Sequence, residues 1–289
     1  MAQNENFKQW LSGIPYELAF WNNVCRWNHT FSGMMQWSHY GSLLKLEGMD
    51  AQAFLREADQ PVVLDIGCGM SFANGNRILT ANGEQELDVH YIDPLAIYYN
   101  RINQRHQRSL PNIEFGMMEY LSATYQGKPA TLAIIRNALD HSASPMQGIM
   151  EALRVLSIGG CLYLNHHPNE AEAEHYKGFH KFNICLDDAE HLIIWNKEQR
   201  ILVDEQIAAF ASMRTLTLDN GYVVAIITKT AECPPSTSNA TRKALLDNIE
   251  ASTHSIGFRM KYQWYNALQF VAQSLTWEQK QKLRRIIYG

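Results

Sequence analysis

Three apolar residues, an acid and two glycines one residue apart make up Val62-Val63-Leu64-Asp65-Ile66-Gly67-Cys68-Gly69-Met70-Ser71. This is the pattern of a buried parallel strand running into a tight turn with open backbone N–H groups. Glycines at such a turn let a ligand approach the main chain closely. A second acid, Asp93, closes the next apolar run, where a carboxylate can accept from ribose hydroxyls. Together these residues describe a cradle for a nucleoside-containing cofactor. A dinucleotide cradle wants a third glycine beside the pyrophosphate, and Phe72 stands in that place. Asp65, two residues before the first glycine, favours a ligand with a cationic ammonium instead.

Histidines supply the second kind of chemistry, because imidazole near its ordinary pKa can take a proton from a hydroxyl nucleophile. The candidates are His141, His166, His167 and His180. His166 and His167 end one strand, so only one of the two can point inward. His141 also has a structural reading, as a cap or as a partner of Asp140. The histidine spacings do not fit a tetrahedral zinc motif, so no metal is assigned, with a carboxylate-bound magnesium as the open alternative.

Elements that could position these groups follow in a strand-and-helix rhythm. Strands are expected at Val62–Ile66, Asp88–Ile92, Ile113–Phe115, Thr131–Ile135 and Cys161–Asn165, with helices at Leu95–His106 and from Met146 to Leu156. A helix is also expected between the glycine turn and the second strand, in spite of an apparent insertion around Asn82 to Leu87. Alternation of this kind implies right-handed crossovers and a parallel sheet covered on both faces. A short helix over Asp204–Ala211 precedes two closing strands, Met213–Leu218 and Tyr222–Lys229. Asp219-Asn220-Gly221 joins them as a hairpin turn, so the last strand is antiparallel.

The domain reading has three parts. Residues 1–58 form an N-terminal helical segment whose aromatics mostly pack as core. Residues 59–232 form the sheet domain, with a histidine-rich insertion at about 166–204 placed over the carboxyl ends of the strands, where open α/β sheets bind ligands. Residues 233–289 are a helical extension after Pro234-Pro235, with Thr276-Trp277-Glu278-Gln279 as a capping box.

Four ordered pieces resemble the class I S-adenosylmethionine-dependent methyltransferases. They are Leu64 to Gly69, Asp93, Asn137-Ala138-Leu139-Asp140-His141, and Leu153-Arg154-Val155-Leu156-Ser157-Ile158-Gly159-Gly160. The resemblance covers roughly residues 60 to 230 and includes the closing hairpin. It implies a Rossmann-like, doubly wound, mostly parallel seven-stranded sheet with an antiparallel last strand. It implies S-adenosylmethionine as cofactor, leaving S-adenosylhomocysteine. By it, Gly67, Cys68, Gly69 and Met70 line the methionine part and Asp65 helps to hold its amino group. Asp93 and Pro94 flank the ribose, Met118 and Glu119 fall near adenine, and Arg136, Asn137 and Ala138 approach the methionine. The implied activity is methyl transfer, with the oxygen of a small molecule or glycan as acceptor and His141, His166 or His180 as base. The competing readings are a non-catalytic cofactor-binding subunit and, behind it, a nicotinamide oxidoreductase.

Composition bounds the partners. The 289 residues are 46% hydrophobic and 19% charged with net charge −4, enough for a large core and without the basic runs that draw nucleic acid. No apolar run would span a bilayer and Met1 to Trp10 is no secretory signal, so a cytoplasmic protein without a membrane partner is expected. Five scattered cysteines suggest reduced thiols. The helical extensions could serve a homodimer.

Overall fold

A computed structural model describes residues 2–176, 178–273, 279 and 282, and of residues 2–6, 272 and 273 the backbone only. The chain opens with α1 (Ala2–Arg26), α2 (Asn28–Met35) and α3 (Ala51–Arg56). It continues as β1 (Val62–Ile66), β2 (Arg77–Thr80), β3 (Gly83–Glu86), β4 (Asp88–Asp93), α4 (Ala96–Arg105), β5 (Glu114–Phe115), α5 (Leu121–Thr124), β6 (Ala130–Arg136), α6 (Pro145–Val155) and β7 (Leu156–His166). Then come α7 (Glu170–Ala173), β8 (Asn183–Leu186), β9 (Leu192–Trp195), β10 (Arg200–Leu202), α8 (Val203–Ile207), β11 (Ala211–Thr217), β12 (Val223–Lys229), α9 (Arg242–His254) and α10 (Ile256–Gln273).

Seven strands form one sheet in the order β11-β12-β7-β6-β1-β4-β5. β1 pairs in parallel with β4 on one side and β6 on the other, so the strand order reverses there and a crevice opens beyond their carboxyl ends. Only β12 runs against its neighbours, pairing antiparallel with both β7 and β11. The fold is the Rossmann-like, doubly wound sheet with an antiparallel closing strand that the resemblance implied. Every residue of β1 is buried, as a strand covered on both faces requires. Leu64 and Ile66 face α6 through Ile149 and Leu153, whereas Val63 faces the opposite layer. Among the described residues no helix is long and apolar enough to cross a membrane.

Four local expectations are corrected. No helix follows the glycine turn: residues 67–76 are irregular and lead into the β2–β3 hairpin. Asn74-Gly75-Asn76 explains this, since asparagine and glycine are weak helix formers. Asn76 Oδ1 accepts from the Gly41 N–H at 2.6 Å, and a Cβ on Gly75 would strike the Leu43 carbonyl. The sheet face left bare by the missing helix is covered by Leu44, Leu46, Leu55 and Ile78. Each such side chain contributes roughly 1.5–3 kcal/mol on burial.

The second correction concerns Leu156, which starts β7 rather than ending α6; pairing with β6 jumps from Ala130↔Leu156 to Leu132↔Cys161 around Gly159 at φ +82°. Third, the helix expected over 204–211 is α8, and Ala211 already belongs to β11. Fourth, the insertion splits. Its first part reaches the carboxyl ends of the strands, while β8, β9 and β10 form a separate antiparallel sheet whose Ile184, Leu192 and Ile194 join the α6-side core. The Thr276-Trp277-Glu278 part of the expected capping box lies outside the described residues.

α1 carries Trp10, Ile14, Leu18 and Trp21 into one core with Tyr99 of α4 and Leu245 and Ile249 of α9. Asn22 and Asn23 both donate to Asn266 Oδ1 of α10, at 3.0 and 2.7 Å. The N-terminal helix therefore stands at the mouth of the sheet crevice with the C-terminal helices behind it.

Candidate functional site

The glycine turn leaves β1 with Gly67 at φ +71° and Gly69 at φ +55°, a region that side chains with a Cβ rarely adopt. At Gly67 space is also short, because a Cβ there would lie 2.6 Å from the Ala138 Cβ. The turn is tied to β4 by the Gly67 N–H, which donates to the Ile92 carbonyl at 2.8 Å. Asp93 completes the tie: Oδ2 accepts from the Gly69 N–H at 3.2 Å and Oδ1 from the Leu95 N–H at 2.8 Å. Burial pushes Asp93 up to about 7, and Glu17 and Asp65 add to the rise against those two hydrogen bonds. Asp65 is buried beneath the turn; burial pushes it up to about 6, against the lowering effects of the Asn74 amide and Arg136. Its Oδ2 makes no hydrogen bond to the described residues.

Beyond this turn lies a cavity of about 540 Å³, within the range of small-molecule sites. Of the residues expected to hold the cofactor, Gly67, Cys68, Gly69, Asp93, Pro94, Met118, Glu119, Arg136, Asn137 and Ala138 line it. Asp65 lies one layer below. Met70 is packed into the α1 core at 1% exposure, away from the lining. Opposite the turn, α1 contributes Trp10, Glu17 and Trp21 to the wall. Glu17 is held there by the Trp21 indole N–H at 2.7 Å and the Tyr99 hydroxyl at 3.2 Å, both donating to Oε1. Glu17 and Asp93 on the wall and Asp65 beneath it favour a ligand with positive charge. Arg136, whose terminal nitrogen reaches Glu47 at 3.4 Å while Nε has no partner, offers a complementary place for a carboxylate.

Three residues at this site also hold the scaffold. Glu119 Oε1 accepts from the Ala143 N–H at 2.6 Å, and burial pushes the carboxyl up against the lowering pull of the backbone at Ala143 and Ser144. The carboxylate thus serves the amino end of α6, whose Ser144 makes no side-chain cap bond. Glu119→Ala is expected to lower stability by about 1–3 kcal/mol, read as a shift in denaturant midpoint at unchanged slope. Asn137 takes φ +49° after β6, which asparagine tolerates. Its N–H donates to the Asn165 carbonyl at 2.8 Å and its Oδ1 accepts from the His167 N–H at 3.0 Å. Met118 packs beneath α6 at Gly148.

At the far end of the cavity stand the histidines. His141 lines the wall; His166 and His180 do not. The turn after β6 (Leu139–His141) sets Asp140 inward at 3% exposure, and the Lys181 N–H donates to the Asp140 carbonyl at 3.2 Å, pinning the insertion to it. His180 Nδ1 meets Asp140 Oδ2 at 2.8 Å and His141 Nε2 at 3.2 Å. Burial alone would raise Asp140, yet His141 and then His180 hold its carboxylate below the ordinary value. Burial works to lower His180, and the bond to Asp140 holds it above. Of the strand-end pair, His166 is the inward one at 1% exposure, while His167 is exposed against Tyr222. Burial pushes His166 down to about 4 against the pull of Asp140.

Sequence reasoning missed Glu17 as a wall residue and left Trp10 and Trp21 among N-terminal aromatics assigned mostly to the core. An acid within an aromatic stripe, spaced seven and four from the two tryptophans on one helix face, was the available signal. Phe179 of the insertion, an aromatic in the histidine-rich stretch, lines the wall stacked on Trp10 with centroids 5.5 Å apart, whereas Tyr222 of the closing hairpin gave no local signal.

No family model and no curated protein matches the chain. Among solved structures, the chain is similar to an S-adenosylmethionine-dependent methyltransferase, possibly a histamine N-methyltransferase by its description, from Thermotoga maritima. That match has 15% identity and a TM-score of 0.39, covering 73% of this chain and 100% of that one. A DhpI–SAH complex matches at 12% identity and TM-score 0.39, over 77% and 98%. A T. thermophilus 16S rRNA methyltransferase solved with AdoMet and guanosine matches at 15% and 0.35, over 68% of this chain and 43% of that one.

Proposed function

We propose that this chain, whose sheet has the class I methyltransferase plan, is an S-adenosylmethionine-dependent methyltransferase acting on an oxygen of a small-molecule or glycan acceptor. The observation that carries this reading is one cavity that joins the glycine turn and the Asp93 carboxylate to the Asp140–His141–His180 cluster. The cofactor brings a sulfonium and an ammonium together with a carboxylate, and the cavity offers Glu17, Asp93 and Arg136 to match them. A bound sulfonium supplies an electrophilic methyl group.

The chain's own task is to hold the acceptor in line behind that methyl group and to exclude water. Trp10, Phe179 and Tyr222 furnish an apolar wall for an acceptor. With the cofactor bound, transfer to an acceptor hydroxyl would release the thioether and would require the hydroxyl proton to leave. The Asp140–His141–His180 cluster is the group that promotes this loss; a histidine base is its simplest form, and His141 is the member that lines the cavity. His166, buried and pushed down to about 4, is a poor proton acceptor at neutral pH.

His141→Gln is expected to lower turnover by about 100-fold or more while cofactor affinity stays within roughly threefold of wild type, about 0.7 kcal/mol. The measurement is S-adenosylhomocysteine release over a panel of phenols, alcohols and saccharides. Cofactor binding without turnover of any acceptor would favour a binding subunit.

A further inference from the structure

Asp140, His141 and His180 bring three ligand-capable atoms together at one end of the cavity. The three sides of this triangle are 2.8 Å from Asp140 Oδ2 to His180 Nδ1, 3.2 Å from His180 Nδ1 to His141 Nε2, and 3.5 Å from His141 Nε2 to Asp140 Oδ2. Ligands at about 2.0–2.1 Å from a tetrahedral zinc ion lie about 3.3 Å from one another. The triangle has the size of one face of such a site.

Both imidazoles can donate to Asp140 Oδ2, but that arrangement leaves two N–H donors, His180 Nδ1 and His141 Nε2, facing each other at 3.2 Å. If His180 Nδ1 carries a proton, it donates to Asp140 and cannot also accept from His141. If it carries none, it faces the carboxylate oxygen lone pair to lone pair at 2.8 Å. A cation among the three atoms satisfies all of them at once.

A second set of observations points to the same place. Asp140 Oδ1 is buried without a hydrogen-bond partner. His166 is 99% buried by its 1% exposure, and both its ring nitrogens lack partners, although Asp140 and His141 lie close enough to act on its charge. Buried polar groups are normally satisfied, and such a group calls for an explanation.

We infer that Asp140, His141 and His180 form a binding site for a divalent transition-metal ion, with the coordination left open toward the cavity. Two imidazoles and one carboxylate suit zinc, iron or cobalt better than magnesium, which prefers oxygen donors. His141, lining the wall, sets the ion at the boundary of the acceptor space. For methyl transfer, this deepens the proposed function and rests on it: an acceptor oxygen bound to the ion ionises more readily, its proton leaves to solvent, and no nitrogen of the triad is needed as base. Metal binding itself rests on the three ligand atoms alone.

The test uses the full-length protein, stripped with chelator and titrated with Zn²⁺ by calorimetry and with Co²⁺ by visible absorption. Wild type should take up one equivalent, with cobalt bands of four-coordinate intensity. His180→Ala should weaken the uptake by more than about 100-fold, above the usual cost of losing an outer partner of a ligand, and His141→Gln should do likewise. His191→Ala, at an exposed histidine outside the triad, should bind as wild type does. Circular dichroism melts check that the variants fold, and should His180→Ala fail to fold, His180→Gln takes its place. Absence of saturable uptake by the wild type, or equal uptake by His141→Gln, would overturn the inference. S-adenosylhomocysteine binding is measured separately: metal uptake without it leaves this site standing and sinks the methyltransferase reading, and the converse result does the reverse.

Discussion

Gly67→Ala is expected to destabilise the protein by about 2–4 kcal/mol, lowering its melting temperature on the order of 5–10 °C, and to weaken S-adenosylhomocysteine binding with it. Two effects add. The residue sits at φ +71°, where a Cβ is strained against the backbone. That Cβ would also stand 2.6 Å from the Ala138 Cβ. Both carbons are fixed to the main chain, so neither can swing aside; the turn after β1 or the end of β6 must move. Those two segments carry Gly69, Arg136 and Asn137 into the cavity wall, which is why stability and binding fall together. Gly33→Ala is the control. It lies in α2 with nothing within 4 Å of an added Cβ, and should be neutral or slightly stabilising. A Gly67→Ala protein with wild-type melting and affinity would contradict the account of the turn.

Asp93 carries the second large effect, which depends on pH. Burial first, then Glu17 and Asp65, raise its pKa to about 7, far above an unfolded aspartate near 3.9. An acid raised on folding binds its proton more tightly in the native state, so the unliganded protein loses stability as pH climbs from about 4 toward 7. A ligand that donates hydrogen bonds to Asp93 from its ribose hydroxyls reverses the preference, because it binds the ionised carboxylate. S-adenosylhomocysteine affinity should therefore rise between about pH 5.5 and 7.5, while the ligand's amine stays protonated. Asp93→Asn should flatten that profile and weaken binding at pH 7.5 by about 10- to 100-fold, the range for a charge-assisted hydrogen bond. Opposite slopes for unliganded stability and ligand affinity are the signature. A flat affinity profile in the wild type would remove Asp93 from ligand recognition.

The cradle was legible because it is local. Asp65, Gly67, Gly69 and Asp93 stand at the ends of two adjacent strands, and strand alternation with tight turns leaves their placement little freedom. The closing hairpin was legible for the same reason, its Asp219-Asn220-Gly221 turn being a local choice. The missing helix after the glycine turn was less so: Asn74-Gly75-Asn76 spoke against a helix, but the cover that replaces it comes from Leu44, Leu46 and Leu55, earlier in the chain. The other half of the cavity is long-range. Trp10 and Glu17 reach it through the docking of α1 on α4 and α10, and His180 meets His141 across 39 residues, a meeting no spacing announces. Of the three histidines offered as alternative bases, all lie close enough to act on Asp140, and His141 is the one of the three that lines the cavity.

The most direct test is a calorimetric titration of S-adenosylhomocysteine into the wild-type protein at pH 7.5, with NAD⁺ as the comparison ligand. Saturable one-to-one binding of S-adenosylhomocysteine that Asp93→Asn weakens, with no heat from NAD⁺, is the predicted result. No S-adenosylhomocysteine binding by the folded wild type would contradict the assignment of the cavity to a methyl donor.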